Sequence, residues 1–193
     1  MALLYLSNSL EPLHLNNHRH RGRTSVQLSG VFEWERSEQL LDICAYALMP
    51  NHFHLLIHEH TENGTSKFMQ KVLTGYTMYF NTRYERSGAL FQGKFRAEDA
   101  NDDRYLKYLI SYIHLNPIKL IEPHWKEFGI RDHKRAERFL EKYRFSSYPD
   151  YSGDVRPEHR ILTKTALPEY FGTRKEFTRC VTEWLDYTEV EPR

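Results

Sequence analysis

Four histidines fall within nine positions of an otherwise apolar segment, ALMPNHFHLLIHEH. In chain order they are His52, His54, His58 and His60. Side chains of a β-strand alternate between its two faces, so the first three would share one face. The apolar residues between and beside them would then face the core; these are Phe53, Leu55 and Ile57. Because imidazoles at i and i+2 can present ring nitrogens to one divalent cation, His52 and His54 are candidate metal ligands. The alternative is that they are half-exposed surface histidines, an explanation that suits His58 and His60 best.

A second group of side chains with chemical potential lies on the segment YLISYIHLNP. On a helix, Tyr112 and Asn116 are one turn apart, so the hydroxyl and the amide could face one point. Tyr108 begins this segment and Tyr105 precedes it by three residues, and a tyrosine stripe at this spacing is more often part of a core. A tyrosine hydroxyl has a pKa near 10 and is a poor nucleophile unless its substrate is activated. A cation that polarises a phosphoryl oxygen supplies such activation, so these residues together indicate phosphodiester transesterification.

The surrounding sequence predicts the elements that would position these residues. The hydrophobic pattern favours strands at 43–49 and 52–58 with a turn at Pro50-Asn51, and helices at 33–42, 66–84, 102–116, 131–144 and near 173–187. Thr65 or Ser66 would cap the helix at 66–84. The segment LLYLS near the start is a possible strand, and residues 89–100 are predicted to be extended. This order predicts an α+β fold, an antiparallel sheet with helices packed on one face.

Composition limits the classes of protein that this chain can be. It has 193 residues, 40% of them hydrophobic, and a net charge of +1, which fits one medium domain with a core. No apolar run is long enough to span a membrane, and the N-terminus lacks the apolar core of a signal peptide. Cys44 and Cys180 make no metal or disulfide pattern. We therefore expect a reduced protein with a cytoplasmic location.

The resemblance to a known family is carried by four segments: YALMPNHFHLLI, FMQKVLTGYTMYFNTRY, SGALFQGKFRA and YLKYLISYIHLNPIK. Together they resemble the single-tyrosine transposases of the HUH class, most closely the REP-associated branch. HUH stands for His, hydrophobic residue, His, which here is His52-Phe53-His54. The resemblance implies a ferredoxin-like antiparallel sheet that carries the histidine pair, faced by a helix that carries the tyrosine.

The resemblance also implies an activity and its residues. The activity would be cleavage and transfer of single-stranded DNA through a 5′-phosphotyrosine link, dependent on Mg²⁺ or Mn²⁺. His52 and His54 would be metal ligands, Tyr112 the nucleophile and Asn116 a third, amide-type ligand. The catalytic domain would span residues 1–145, with 1–35 divergent from the family's first strand. Residues 146–193 would form a C-terminal helical extension packed on it.

Basic residues on two of the predicted elements are candidate DNA phosphate contacts. They are Lys67, Lys71, Lys94 and Arg96. The expected partner is single-stranded or hairpin DNA, bound by a monomer or a homodimer. Two other functions fit the same residues: a domesticated protein that grips DNA hairpins without cutting them, and a metal-dependent hydrolase that uses water as its nucleophile.

Overall fold

The computed structural model describes residues 1–11, 28–168 and 170–183. It confirms the α+β class, and the described residues contain one two-stranded sheet. The strands are β1 (Leu41–Leu48) and β2 (Phe53–Glu59). The α-helices are α1 (Ala2–Ser7), α2 (Gly64–Arg83), α3 (Asp103–Leu115), α4 (Trp125–Phe128), α5 (His133–Lys142), α6 (Tyr148–Tyr151) and α7 (Arg174–Glu183). Short 3₁₀ helices span Leu28–Glu33, Asn116–Leu120, Pro157–Ile161 and Lys164–Ala166. No helix among the described residues combines the length and the apolar character needed to cross a membrane.

The chain divides into two compact units, the first formed by Met1–Asp42 and His58–Asp99. The possible strand LLYLS is wrong, because these residues form helix α1. A helix buries three consecutive residues that an alternating strand would divide between two faces; they are Leu4, Tyr5 and Leu6. Helix α1 packs on α2, where Leu3 lies against Gly75.

The predicted helix at 33–42 is also wrong. Within it only Glu33 is helical, as the last residue of a 3₁₀ helix, and β1 begins at Leu41. The buried Asn8 side chain holds this segment extended, since its Oδ1 accepts from the backbone N–H of Leu40 at 3.1 Å and of Leu41 at 3.2 Å. Its Nδ2 donates to the Leu41 carbonyl at 2.8 Å. A contact made from 32 positions earlier in the chain therefore overrides the local pattern.

Helix α2 confirms the long helix predicted at 66–84. Its N-cap is Asn63, which has a left-handed backbone with φ of 57°, instead of the predicted Thr65 or Ser66. The Thr65 hydroxyl donates to the Glu59 carboxylate. After α2 the chain turns at Gly88, and residues 89–100 contain no strand. The segment predicted to be extended therefore adds no third strand to the described sheet.

The second unit is formed by Ile43–Ile57 and Ala100–Arg193, and it contains most of the β1–β2 hairpin. The turn closes with a bond from the Met49 N–H to the His52 carbonyl at 2.8 Å. Helix α3 starts where predicted, because the Asp102 carboxylate accepts from the Tyr105 N–H at 2.9 Å. One buried core joins the hairpin to helices α3, α5 and α7: Cys44, Ala45, Ala47, Leu56, Ile110, Ile113, Leu115, Leu140, Phe177 and Val181 belong to it.

The chain after residue 145 is tied to the hairpin within this unit. Ser147 Oγ accepts from the Tyr46 N–H at 2.9 Å and shares a 2.7 Å hydrogen bond with His114 Nε2. Tyr151 Oη donates to the Cys44 carbonyl at 2.7 Å. Arg156 pairs with the buried Asp150 carboxylate and donates to Tyr46 Oη at 3.1 Å. These bonds satisfy polar groups that burial would otherwise leave unpaired.

Candidate active site

Strand β2 places His54 on the side of the hairpin that packs on the core, and His52 is exposed immediately before the strand. Leu56 is the buried residue of β2, and it shares its face with His54 because they are two positions apart. The prediction that Phe53, Leu55 and Ile57 form the core side is therefore wrong, since the buried core of the second unit includes Leu56 and none of these three. The backbone alternation was predicted correctly, but the side that the second unit's helices cover depends on tertiary packing.

The structure brings the histidine pair and the predicted nucleophile together. The rings of His52 and His54 lie edge to face with centroids 5.0 Å apart. The rings of His54 and Tyr112 are also edge to face, with centroids 5.5 Å apart. Tyr108 lies one turn before Tyr112, and their ring centroids are 5.8 Å apart. The strand and the helix thus position an imidazole pair beside a phenol, as the sequence predicted.

Both imidazoles are held in the neutral form. Burial, followed by the charges of His52, Lys126 and Lys119 in that order, lowers the pKa of His54 to about 4. Burial also lowers the pKa of His52, with Lys119 and Lys126 as the next causes. Neutral imidazoles keep a lone pair free for a cation at neutral pH. The lysine charges that oppose histidine protonation also favour a phosphate beside the pair.

Lys126 is a site residue that the sequence analysis missed. Its Nζ donates to Tyr112 Oη at 2.9 Å and lies 4.2 Å from the centre of the same ring. Helix α4 positions it, because the neighbouring Trp125 is buried in the core of the second unit. Fourteen residues separate Lys126 from Tyr112, a separation at which no helix or strand periodicity predicts a contact. Lys126 lies among other charged residues after Pro117, and no sequence pattern there distinguishes it from them.

Asn116 lies one turn beyond Tyr112, at the end of α3. Its side chain is buried, 1% exposed, and Nδ2 donates to the Tyr112 carbonyl at 2.8 Å. This bond fixes the carboxamide to the turn that carries Tyr112 and leaves the amide oxygen as the atom that could contact a cation. His114, between them, is fully buried and packs against Tyr148, Tyr151 and Phe177.

His52, His54 and Asn116 are the side chains of this region that could hold a divalent cation. Two neutral imidazoles and an amide oxygen suit Mn²⁺ better than Mg²⁺, which prefers oxygen ligands. In the described part of the chain, no three His, Cys, Asp or Glu side chains are grouped to hold a metal ion. The remaining coordination positions would therefore fall to water and to phosphate oxygens.

The other predicted residues lie in the first unit. His58 and His60 are exposed, and both face Asp42: His58 Nδ1 is 3.3 Å from Oδ2, and His60 Nε2 is 3.8 Å from Oδ1. Of the candidate phosphate contacts, Lys67 donates to the Glu62 carbonyl at 3.0 Å, and Lys71 donates to the Ser9 carbonyl. Lys94 and Arg96 are exposed on the irregular segment 89–100.

Comparison with known proteins identifies the family. The family model described as IS200-like transposase matches residues 18–116, about half of the chain, so the chain belongs to the IS200-like transposase family. The matched range includes His52, His54 and Tyr112 and ends at Asn116. Membership indicates a DNA-binding protein with transposase-type DNA cleavage. No curated protein and no solved structure gave a significant match.

Proposed function

We propose that this transposase nicks single-stranded or hairpin DNA and rejoins the ends through a covalent link to Tyr112. The observation that carries the proposal is the contact of the Tyr112 ring with His54, whose own ring contacts that of His52. A tyrosine beside a neutral imidazole pair has the groups needed to attack a phosphodiester held at the same place.

In the proposed reaction, Tyr112 Oη attacks the phosphorus of the scissile phosphodiester. The bond from phosphorus to the 3′ oxygen breaks as the bond from Oη to phosphorus forms. The phenol proton passes to solvent, and the departing 3′ oxygen takes a proton from water. The products are a 5′-phosphotyrosine and a free 3′-hydroxyl. In strand transfer, a 3′-hydroxyl reverses these steps and releases Tyr112.

The chain's own residues support these steps in different ways. His52, His54 and the Asn116 amide oxygen would hold Mn²⁺ or Mg²⁺, which polarises a phosphoryl oxygen when bound. Lys126 fixes the direction of the Tyr112 hydroxyl through its hydrogen bond and offers a cation to the phosphate that this oxygen attacks. In strand transfer the same ammonium stabilises the departing phenolate.

The experiment that tests this function is a covalent-adduct assay. Hairpin oligonucleotides drawn from DNA that flanks the gene are incubated with the full chain and Mn²⁺, each labelled at the 5′ or the 3′ end. A 5′-phosphotyrosine retains the 3′-labelled fragment on the denatured protein and releases the 5′-labelled one. Tyr112→Phe removes one oxygen and keeps the ring, so we expect normal folding and DNA binding with no detectable adduct. Tyr105→Phe, on the same helix, is the matched control and should retain the adduct.

The outcomes separate the candidate functions. Hairpin binding without cleavage by the wild type would indicate a binding protein, and cleavage without adduct would indicate a hydrolase that uses water. Trypsin yields a peptide from Tyr108 to Lys119, so fragmentation within it must place the nucleotide on Tyr112. Location on Tyr108, or an adduct with the Tyr112→Phe variant, would contradict the assignment.

A further inference from the structure

The C-terminal half of helix α2 carries an aromatic surface that the first unit does not bury. The buried residues of this helix stop at Val72, yet its apolar stripe continues. Tyr76 is 40% exposed, Tyr79 56% and Tyr84, at the C-cap, 61%. Neighbouring centroids are 6.3 Å apart for Tyr76 and Tyr79, and 4.4 Å for Phe80 and Tyr84. Large rings left in water over about two helical turns mark a binding surface more often than chance exposure.

Positive charge is concentrated on the same segment. Between residues 75 and 97 the chain has four basic residues against one acidic residue, whereas the whole chain has a net charge of +1. Two of the basic groups lie over rings of the surface: the Arg83 guanidinium is 5.8 Å from the Tyr84 ring and that of Arg86 is 5.6 Å from the Phe80 ring. Met78, Tyr79 and Arg83 also line an open depression on this helix.

This combination of groups matches the chemistry of single-stranded nucleic acid. Every base has an aromatic face that can stack on a tyrosine, and each linkage adds a negative charge that an arginine can neutralise. A protein partner could pack apolar side chains on these rings, but it would also need acidic groups opposite the arginines. A single strand supplies both features at each nucleotide, and this favours it as the occupant.

We propose that Tyr76, Tyr79 and Tyr84 form a stacking platform for unpaired bases, flanked by Arg83 and Arg86 as phosphate contacts. The proposal rests on the proposed function in that the ligand is the DNA substrate. It adds a site for unpaired DNA on the first unit, made of residues that take no part in the chemistry. The recognition is independent of sequence, because stacking uses the base faces and leaves the base edges unread.

The test compares two labelled 15-nucleotide probes with the full chain: oligo(dT), and a strand with the same phosphates but no bases. Fluorescence anisotropy at fixed salt measures the affinity for each. The Tyr79→Ala/Tyr84→Ala double variant should bind oligo(dT) at least about tenfold more weakly and bind the baseless strand within about twofold of wild type. Tyr79→Phe/Tyr84→Phe keeps the rings and should restore oligo(dT) affinity. Arg83→Gln/Arg86→Gln should weaken both probes and flatten the salt dependence by about 1.4 in log–log slope.

The matched control is Phe145→Ala. Phe145 is 48% exposed and has the Arg144 guanidinium 5.7 Å from its ring, so it repeats the arginine–aromatic pair outside the platform. Its removal should leave the affinity for both probes unchanged. Equal losses on both probes for the Tyr79→Ala/Tyr84→Ala variant would overturn stacking, as would no loss on either. A changed oligomeric state with unchanged oligo(dT) affinity would overturn it in favour of contact between copies of the chain.

The adduct assay distinguishes failure of this inference from failure of the proposed function. If the wild type forms the adduct and the Tyr79→Ala/Tyr84→Ala variant keeps its oligo(dT) affinity, the stacking platform is contradicted and the proposed cleavage is supported. If the Tyr79→Ala/Tyr84→Ala variant loses base-dependent binding and the wild type forms no adduct, the stacking platform is supported and the proposed cleavage mechanism is contradicted.

Discussion

At the scale of single residues, the site depends on side chains from three separate stretches of the chain. His54 and Tyr112 are in ring contact, and Lys126 bonds the tyrosine hydroxyl. The sequence predicted His54 and Tyr112 because each belongs to a pair of functional groups that is close in the chain. His52 and His54 are spaced as i and i+2, and Tyr112 and Asn116 as i and i+4. Lys126 was missed because its contact is long-range, so neither its residue type nor its spacing distinguishes it from a solvated lysine.

The first residue-scale prediction concerns the histidine pair. His52→Ala and His54→Ala should each reduce Mn²⁺-dependent cleavage below detection, because each removes one imidazole from a two-imidazole site. The thermal unfolding midpoint should change little for His52, which is exposed. His58→Ala is the control from the same strand, since His58 pairs with Asp42, and should keep wild-type cleavage. Full activity in a His52→Ala/His54→Ala double variant would disprove the metal site.

A second residue-scale prediction concerns Lys126. Lys126→Met should slow adduct formation by about tenfold to a hundredfold at saturating DNA, the range expected for one lost hydrogen bond from a charged donor. Lys126→Arg should recover part of the rate, because it keeps a cationic donor. Single-turnover kinetics separates this rate from DNA affinity, which should change less.

The control for Lys126 is Lys119→Met. Lys119 also lowers the pKa of His52, so it contributes to the same field. We expect a smaller loss of rate than for Lys126→Met. Equal losses from the two variants would mean that general charge, and not the bond to Tyr112, carries the effect.

At the scale of elements, local signals predicted the regular pieces and failed where a distant contact decides. The hairpin, α2 and α3 have clear periodicity, a turn at Pro50-Asn51 and a cap at Asp102. The segment expected to be a helix at 33–42 is not one, because the Asn8 side chain accepts hydrogen bonds from the backbone N–H groups of Leu40 and Leu41. Residues 89–100 were predicted to be extended, but they form no strand in the described sheet.

An element-scale prediction concerns the hydroxyl that joins β1 to α3. Ser147 Oγ bonds both the Tyr46 backbone and His114, and all three groups are buried. Ser147→Ala should reduce the free energy of unfolding by about 1–3 kcal/mol, because it leaves buried polar groups without a partner. Urea denaturation measures the change. Ser152→Ala is the control: Ser152 Oγ donates to the nearby Pro149 carbonyl at 3.2 Å, and the loss of this local bond should cost less. Equal destabilisation by the two variants would contradict this role for Ser147.

At the scale of the whole molecule, the two units carry different parts of the proposed function. The second unit holds the residues proposed for the chemistry, and the first holds the candidate phosphate contacts and the aromatic surface of α2. Because the net charge of the chain is only +1, overall charge does not account for DNA binding. Binding would instead depend on where the basic residues are concentrated.

The corresponding prediction is the salt dependence of DNA binding. If Lys67, Lys71, Lys94 and Arg96 each neutralise one phosphate of a single strand, affinity should fall about fifty-fold between 50 and 200 mM salt, a log–log slope of about −2.8. Lys94→Gln/Arg96→Gln should make the slope shallower by about 1.4. For Lys71→Gln we expect a change smaller than the value of about 0.7 for one full phosphate contact, because Lys71 Nζ already donates to the Ser9 carbonyl. An affinity that is flat over this range would exclude an electrostatic DNA surface.

The sequence by itself determined the local features of this protein: the hairpin with His52 and His54 on one face, and the helix with Asn116 one turn after Tyr112. Those features follow from the alternation of a strand and the turn of a helix, which the order of residue types encodes directly. Only the tertiary structure decided that the histidine face is the one packed on the core and that Lys126 reaches the Tyr112 hydroxyl. It also decided that the aromatic stripe of α2 extends beyond the buried core. These outcomes depend on which distant segments cover each face, and a repeating pattern along one element contains no information about its neighbours.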